Sequence, residues 1–317
     1  MIIVYLLVFV VACYALVRSG AILVKILTKM SHYFKLTEYV LAFILMSFAT
    51  TLPELFVGVA SGLKGMPVVS LGNIIGSNLV NLSFILGLVV VVSKGLTVKS
   101  KMAKKDSWIA FFIAMVPLLL LFDKKISRGE GFLLILIFGW HIYYLLKQKD
   151  AFTHRVHHIR HDITGFEKLL KTIVYFIIAA VVLILSSLAI VGSAKLIAEE
   201  LYVPLSLIGI ILVAFGTSLP ELVFGMRAAI AKHEGLSLGN LIGSVVINST
   251  FILGMTAIIS PIQVDDYKII FIGGGFMLAA IFFANICLAT RNKLSWKEGL
   301  FLIAFYVGFL VVEFLLK

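Results

Sequence analysis

A chain of 317 residues that is 61% hydrophobic and only 14% charged, with a mean hydropathy of +1.11, cannot hide its apolar surface inside a water-soluble core of that size. Such a composition excludes a soluble fold and places the chain in a bilayer. The net charge of +11 argues little for a nucleic-acid partner, because the basic residues gather in alternate loops, which is a signature of membrane topology.

Apolar runs over residues 1–17, 108–122, 173–191 and 269–288 approach or reach the length that crosses a hydrocarbon core as a helix, and the same spacing gives about ten segments along the chain. No alternating barrel pattern is present, so helices must satisfy the backbone in lipid. The first run is apolar from its second residue and lacks both a basic lead and a small-residue cleavage site before Arg18. It reads as a retained span, not a signal peptide. Cys13 and Cys287 lie inside apolar segments and read as small hydrophobes.

Lys25, Lys29 and Lys35, the stretches 94–105 and 147–171, Arg227 with Lys232, and the stretch 291–297 fall in alternate loops. The intervening loops hold few basic residues: Lys64, the stretch 123–130, Glu199 with Glu200, and Asp265, Asp266 and Lys268. The basic set is expected to be cytoplasmic, giving a multi-pass protein of the cell membrane with both termini outside.

Residues 45–87 align without a gap on residues 212–254 at a constant offset of 167, the distance from Glu54 to Glu221. About twenty of these positions are identical, far more than shared hydrophobicity produces. Thr50-Thr51-Leu52-Pro53-Glu54 lies over Thr217-Ser218-Leu219-Pro220-Glu221, and Gly72-Asn73-Ile74-Ile75-Gly76-Ser77 over Gly239-Asn240-Leu241-Ile242-Gly243-Ser244. The expected architecture is an all-α membrane protein of ten transmembrane helices in two five-helix repeats. An odd number of helices per repeat inverts the second copy. The expected division is a first repeat over 1–147, a cytoplasmic linker over 148–167 and a second repeat over 168–317. The linker carries His154, His157, His158 and His161, which a solvated basic connector explains better than a metal site.

Glu54 and Glu221 are carboxylates at membrane depth, where an unpaired charge costs at least about 3 kcal/mol. Proline before each one removes a backbone donor and clashes with the carbonyl four residues back, that of Ala49 or Gly216, so the helix must break or kink. Thr50 and Thr51, four and three residues before Glu54, share its helical face, as do Thr217 and Ser218 with Glu221. On the next helix Ser77 and Asn81 are four apart, repeated by Ser244 and Asn248, and add hydroxyl and amide oxygens. No His, Cys or Met joins the set. Two negative charges among oxygen donors suit hard cations. The glycine pairs 72/76 and 239/243 form small-xxx-small faces that bring helices close.

These two strings resemble the alpha-repeats of the sodium/calcium exchanger branch of the cation/calcium antiporter superfamily, over essentially the whole chain. The resemblance implies ten helices in two inverted sets of five, with the second, third, seventh and eighth enclosing four central cation sites. It implies that Glu54 and Glu221 bind calcium, that Thr50 and Thr217 give backbone and hydroxyl oxygens, and that Thr51, Ser77, Ser218 and Ser244 supply sodium-site hydroxyls. Ser47 and Ala214 fall where the family uses backbone carbonyls for sodium, and Asn81 and Asn248 match its central polar pair. Ala49 departs from the family's usual glycine. Asn248 stands where potassium-dependent relatives carry aspartate, which speaks against potassium co-transport.

The function that follows is antiport of calcium for sodium by alternating access, with calcium, sodium and the lipid bilayer as partners, no cofactor, no nucleic acid and a monomeric chain. A proton/calcium exchanger using the same glutamates is the alternative. A cation channel needs a continuous pore, and an intramembrane hydrolase needs a nucleophile with a base; neither pattern is evident.

Overall fold

The computed structural model describes residues 2–31, 42–98, 101–147, 166–265 and 267–315. Residues 148–165 of the expected linker, with its four histidines, lie outside them. The first helix, α1 (Ile2–Ser31), is followed by α2 (42–50), α3 (Leu52–Leu63), α4 (Pro67–Val92), α5 (Lys101–Leu120) and α6 (Arg128–Lys147). After the linker come α7 (Phe166–Leu201), α8 (Leu205–Thr217), α9 (Leu219–Ile230), α10 (234–259), α11 (Tyr267–Arg291) and α12 (Trp296–Leu315). Both α1 and α7 outrun the apolar stretches that announce them in the sequence. Among the described residues eight helices are long and apolar enough to cross a membrane, and α8 with α9 makes a ninth span bent by 43°. The chain is thus a multi-pass helical membrane protein.

The breaks fall where the prolines require them. Thr51 (φ −84°, ψ 4°) separates α2 from α3, and Ser218 (φ −80°, ψ 2°) separates α8 from α9. Each sits two residues before a proline whose nitrogen has no hydrogen to continue the ladder. Beside the breaks the helices carry a second irregularity, π-helical turns at 42–46 and 209–213, and at 81–85 and 248–252. Each pair again differs by 167. A π turn widens the helix by one residue and re-aims the groups around it.

Burial runs from a polar centre to an apolar rim. In α4 and α10, 83% and 78% of the spanning residues are buried, against 28% in α1, 22% in α6 and 28% in α12. The rim shows Leu7, Val11, Leu136, Val307 and Phe314 outward, as lipid contact requires. Helices α1 and α7 pack chiefly along each other. With Val57 and Ala60 of α3 they form an apolar cluster separate from the main core.

Glycines set the closest approaches. A Cβ on Gly76 of α4 would stand 2.1 Å from the Ile210 carbonyl oxygen in α8, and one on Gly243 of α10 would stand 2.5 Å from the Phe43 carbonyl oxygen in α2. Gly87 faces Gly299 and Gly131 faces Gly254 in the same manner, each across the two halves of the sequence. Four two-residue strands join the loops. Leu96–Thr97 (β1) pairs antiparallel with Lys293–Leu294 (β4), and Lys125–Ile126 (β2) with Ile262–Gln263 (β3). Every one of these contacts links one half to the other, so a single core is built from both.

Replacing Gly76 by Ala should lower the thermal midpoint in detergent by about 5 °C, since overpacking against rigid backbone costs on the order of 1–3 kcal/mol. Gly139→Ala is the control, because its Cβ would meet nothing within 4 Å. Equal midpoints for the two variants, read by fluorescence-detected size exclusion after heating, would contradict this packing.

Candidate cation site

The two broken helices aim the starts of α3 and α9 at the middle of the protein. Glu54 and Glu221 occupy the first turns of these helices, where backbone N–H groups lack helical partners and a negative charge is favoured. Both side chains are fully buried. Among the described residues no lysine or arginine pairs with either, and one oxygen of each, Oε2, has no hydrogen-bond partner.

Hydroxyls from both halves surround the acids. Ser77 Oγ of α4 donates to Glu54 Oε1 at 3.4 Å, and Ser244 Oγ of α10 donates to Glu221 Oε1 at 3.4 Å. Thr217 of α8 also lies against the Glu54 carboxyl, and Thr50 of α2 against that of Glu221. Each acid thus accepts a serine hydroxyl of its own half and has a threonine of the other half beside it. The two carboxyls are near enough to act on one another electrostatically. Two buried carboxylates with no organic cation between them make a place for a metal cation.

The remaining expected residues fall around this centre. Ser77 Oγ is 3.3 Å from Thr217 Oγ1 and 3.4 Å from the Ala214 carbonyl oxygen. That carbonyl also accepts from Thr217 Oγ1 at 3.3 Å, as the Ser47 carbonyl accepts from Thr50 Oγ1 at 3.3 Å and Thr51 Oγ1 at 2.9 Å. Positions 47 and 214 thus meet the site through their backbones, and the Ser47 side chain turns back to the Phe43 carbonyl of its own helix. Thr51 and Ser218 stand at the two breaks. Ser218 Oγ, both polar atoms of the Asn81 amide and Asn248 Oδ1 are buried without partners among the described residues.

Four residues join the site that the sequence reading did not single out. Thr217 Oγ1 donates to Asn73 Oδ1 at 3.0 Å, and Thr50 Oγ1 donates to Asn240 Oδ1 at 3.1 Å. Asn73 and Asn240 are fully buried and occupy equivalent positions, each orienting a threonine of the opposite half. A signal was present: each lies four residues before a site serine, on the same face. Asn78 and Ser249 join through Asn248, whose Nδ2 donates to Asn78 Oδ1 at 3.0 Å, while Asn78 Nδ2 donates to Ser249 Oγ at 2.8 Å. No repeat signal marks these two, because their counterparts are Val245 and Leu82.

Among the described residues no cluster of three or more His, Cys, Asp or Glu side chains occurs. The centre holds two carboxylates, hydroxyls, amide oxygens and backbone carbonyls, a donor set for hard cations and a poor one for zinc or copper.

The chain is 26% identical to the sodium/calcium exchanger MaX1 of Methanosarcina acetivorans, across 94% of this chain and 95% of that one. It is 25% identical to the inner membrane protein YrbG of Escherichia coli, across 90% and 89%. Its fold matches a solved structure of the sodium-calcium exchanger NCX_Mj with a TM-score of 0.68, 22% identity and 97% coverage of both chains. The family model described as sodium/calcium exchanger protein matches residues 4–147 and 171–315, nearly the whole chain, and the protein belongs to that family of membrane ion exchangers.

Proposed function

We propose that the protein exchanges calcium for sodium across the membrane by alternating access, with Glu54 and Glu221 as the shared ligands of both ions. The observation that carries this reading is the pair of fully buried carboxyls, each with an unpartnered oxygen and each bracketed by hydroxyls of both halves. Two carboxylates neutralise one calcium ion. They cannot neutralise a calcium ion and several sodium ions together, so the two loads compete for one charge balance and their fluxes are coupled. Thr50, Thr217, Thr51, Ser218, Ser77 and Ser244 supply hydroxyls, Ser47 and Ala214 supply carbonyls, and Asn81 and Asn248 supply amide oxygens. Sodium is preferred to the proton as driving ion because a proton needs only the carboxylates, whereas this shell of neutral oxygens suits a weakly held monovalent cation. The name of the MaX1 relative points the same way.

Counting α2 with α3 and α8 with α9 as single broken spans gives ten, arranged as two inverted sets of five with the termini outside. The recurrence at 167 of the breaks and the four π turns supports that count. The pair α1 and α7, packed most extensively on itself and touching α2, α3, α8 and α9 along its edge, is the element suited to slide past a fixed site and expose it to either side.

Proteoliposomes loaded with sodium should take up calcium against its gradient at clamped pH. Uptake that follows a proton gradient and ignores sodium would hand the site to the proton reading. Glu54→Gln and Glu221→Gln should each lower calcium uptake by at least about a hundredfold while leaving a monodisperse protein, since each removes half the countercharge. Thr217→Val and Thr50→Val should weaken calcium uptake by roughly tenfold, from loss of a hydroxyl beside the opposite half's acid. Calcium half-saturation measured for both would contradict the crossed arrangement if either stayed at its unmodified value.

A further inference from the structure

The repeats are alike at the acids and hydroxyls but not at the central amides. Asn81 and Asn248 hold equivalent positions at the starts of equivalent π turns. Their surroundings differ. Asn248 Nδ2 is held by Asn78 Oδ1 at 3.0 Å, and Asn78 is held in turn because its own Nδ2 donates to Ser249 Oγ at 2.8 Å. By the offset of 167, Asn78 corresponds to Val245 and Ser249 to Leu82, neither of which offers a polar side chain. Asn81 accordingly has neither amide atom partnered among the described residues.

A primary amide presents either an oxygen or an NH2 group, and only the oxygen binds a cation. As the structure places these amides, the relay from Ser249 through Asn78 to Asn248 runs in one sense, with Ser249 Oγ as the acceptor. Ser249 Oγ takes the Asn78 NH2, which turns the Asn78 oxygen toward Asn248. That oxygen takes the Asn248 NH2, and Asn248 Oδ1 is left buried and unpartnered. All three residues are buried to within 1% of their surface.

We propose that Asn78 is a positioning residue that fixes the amide of Asn248 with its oxygen toward the transported ions, making Asn248 a set ligand while Asn81 remains free to turn. This rests on the placement of Asn248 in the cation site proposed above. Partners that orient a metal ligand typically contribute about tenfold or more to its affinity. The first repeat thereby locks the amide of the second, and the second repeat has no counterpart device.

The test is a four-protein cycle of the unmodified exchanger, Asn78→Val, Asn248→Asp and the double variant, with calcium and sodium half-saturation read in the proteoliposome flux assay. Valine is the residue the second repeat already carries at this position. An aspartate at 248 shows oxygen whichever way it turns, so it has no need of Asn78. The expected result is that Asn78→Val raises the half-saturating concentration of calcium, sodium or both about tenfold, with maximal flux kept, and does nothing further in the Asn248→Asp background. Equal shifts in both backgrounds would show a packing role for Asn78 and overturn the inference, as would no shift in either. Should Asn248→Asp itself leave both ion dependences unaltered, Asn248 is not at the site and the assignment falls with the inference, whereas the glutamate variants report on the rest of the site. If the valine protein does not fold, Ser249→Ala removes only the acceptor that orients Asn78. It should shift half-saturation in the same direction, and an unchanged value would overturn the relay.

Discussion

Two carboxyl groups are held in the middle of a membrane protein with no lysine or arginine beside them among the described residues, and the rest of the structure is arranged around that expense. An intact helix could carry a glutamate at that depth but would offer it only apolar neighbours. Breaking the helix one turn earlier puts the acid in the first turn of a new helix, where a negative charge is favoured. Each proline also denies the carbonyl four residues back, that of Ala49 or Gly216, its backbone donor. Thr50, Thr51 and Thr217 sit where their hydroxyls can fold onto the carbonyls of Ser47 and Ala214. Both carbonyls also keep a backbone donor, the N–H of Thr51 or of Ser218, so the hydroxyls line the site on a turn that is already closed.

The crossing of the two halves follows from the same need. A hydroxyl three or four residues before an acid meets it along one helix, but one helix has too narrow a face to surround a carboxyl. The second half completes the shell: Thr217 reaches Glu54, Thr50 reaches Glu221, and Asn73 and Asn240 hold those threonines in place. Such contacts demand that α4 lie against α8, and α10 against α2, closer than side chains permit. Gly76 and Gly243 supply that approach. Packing and chemistry are here one constraint, so a methyl group at either glycine would disturb the site as well as the fold.

Much of this was legible in the sequence because it is local. Proline before glutamate, hydroxyls three and four residues upstream, and serine four residues before asparagine are helical arithmetic, and duplication marks them twice. The helix breaks appear at Thr51 and Ser218 as the prolines require. Asn73 and Asn240 were harder to read, since their partners are 144 and 190 residues away and no periodicity links an amide to a threonine of the other half. The π turns left no mark either, for one extra residue in a turn does not disturb an apolar run. Asn78 and Ser249 were illegible for the opposite reason: recurrence is the strongest guide along this chain, and these two residues do not recur.

That failure of recurrence bears on how an exchanger of this design chooses between its two states. In a protein made of inverted copies, swapping the conformations of the halves converts the outward-open form into the inward-open one. Two identical halves would give the two forms equal energy, whatever the ions. Any preference must come from positions where the halves differ and where the difference touches something that moves. The buried differences include Ser47 against Ala214, Ala49 against Gly216, Asn78 against Val245 and Leu82 against Ser249, and an exposed one is Lys64 against Ala231. The last lies at the edge of the sliding pair, where Lys64 Nζ donates to the Leu188 carbonyl of α7 at 2.7 Å beside Gly192, with no lysine at the equivalent position. On the proposed mechanism the paired acids set which ions bind, and the unmatched residues bias which of the two forms is favoured.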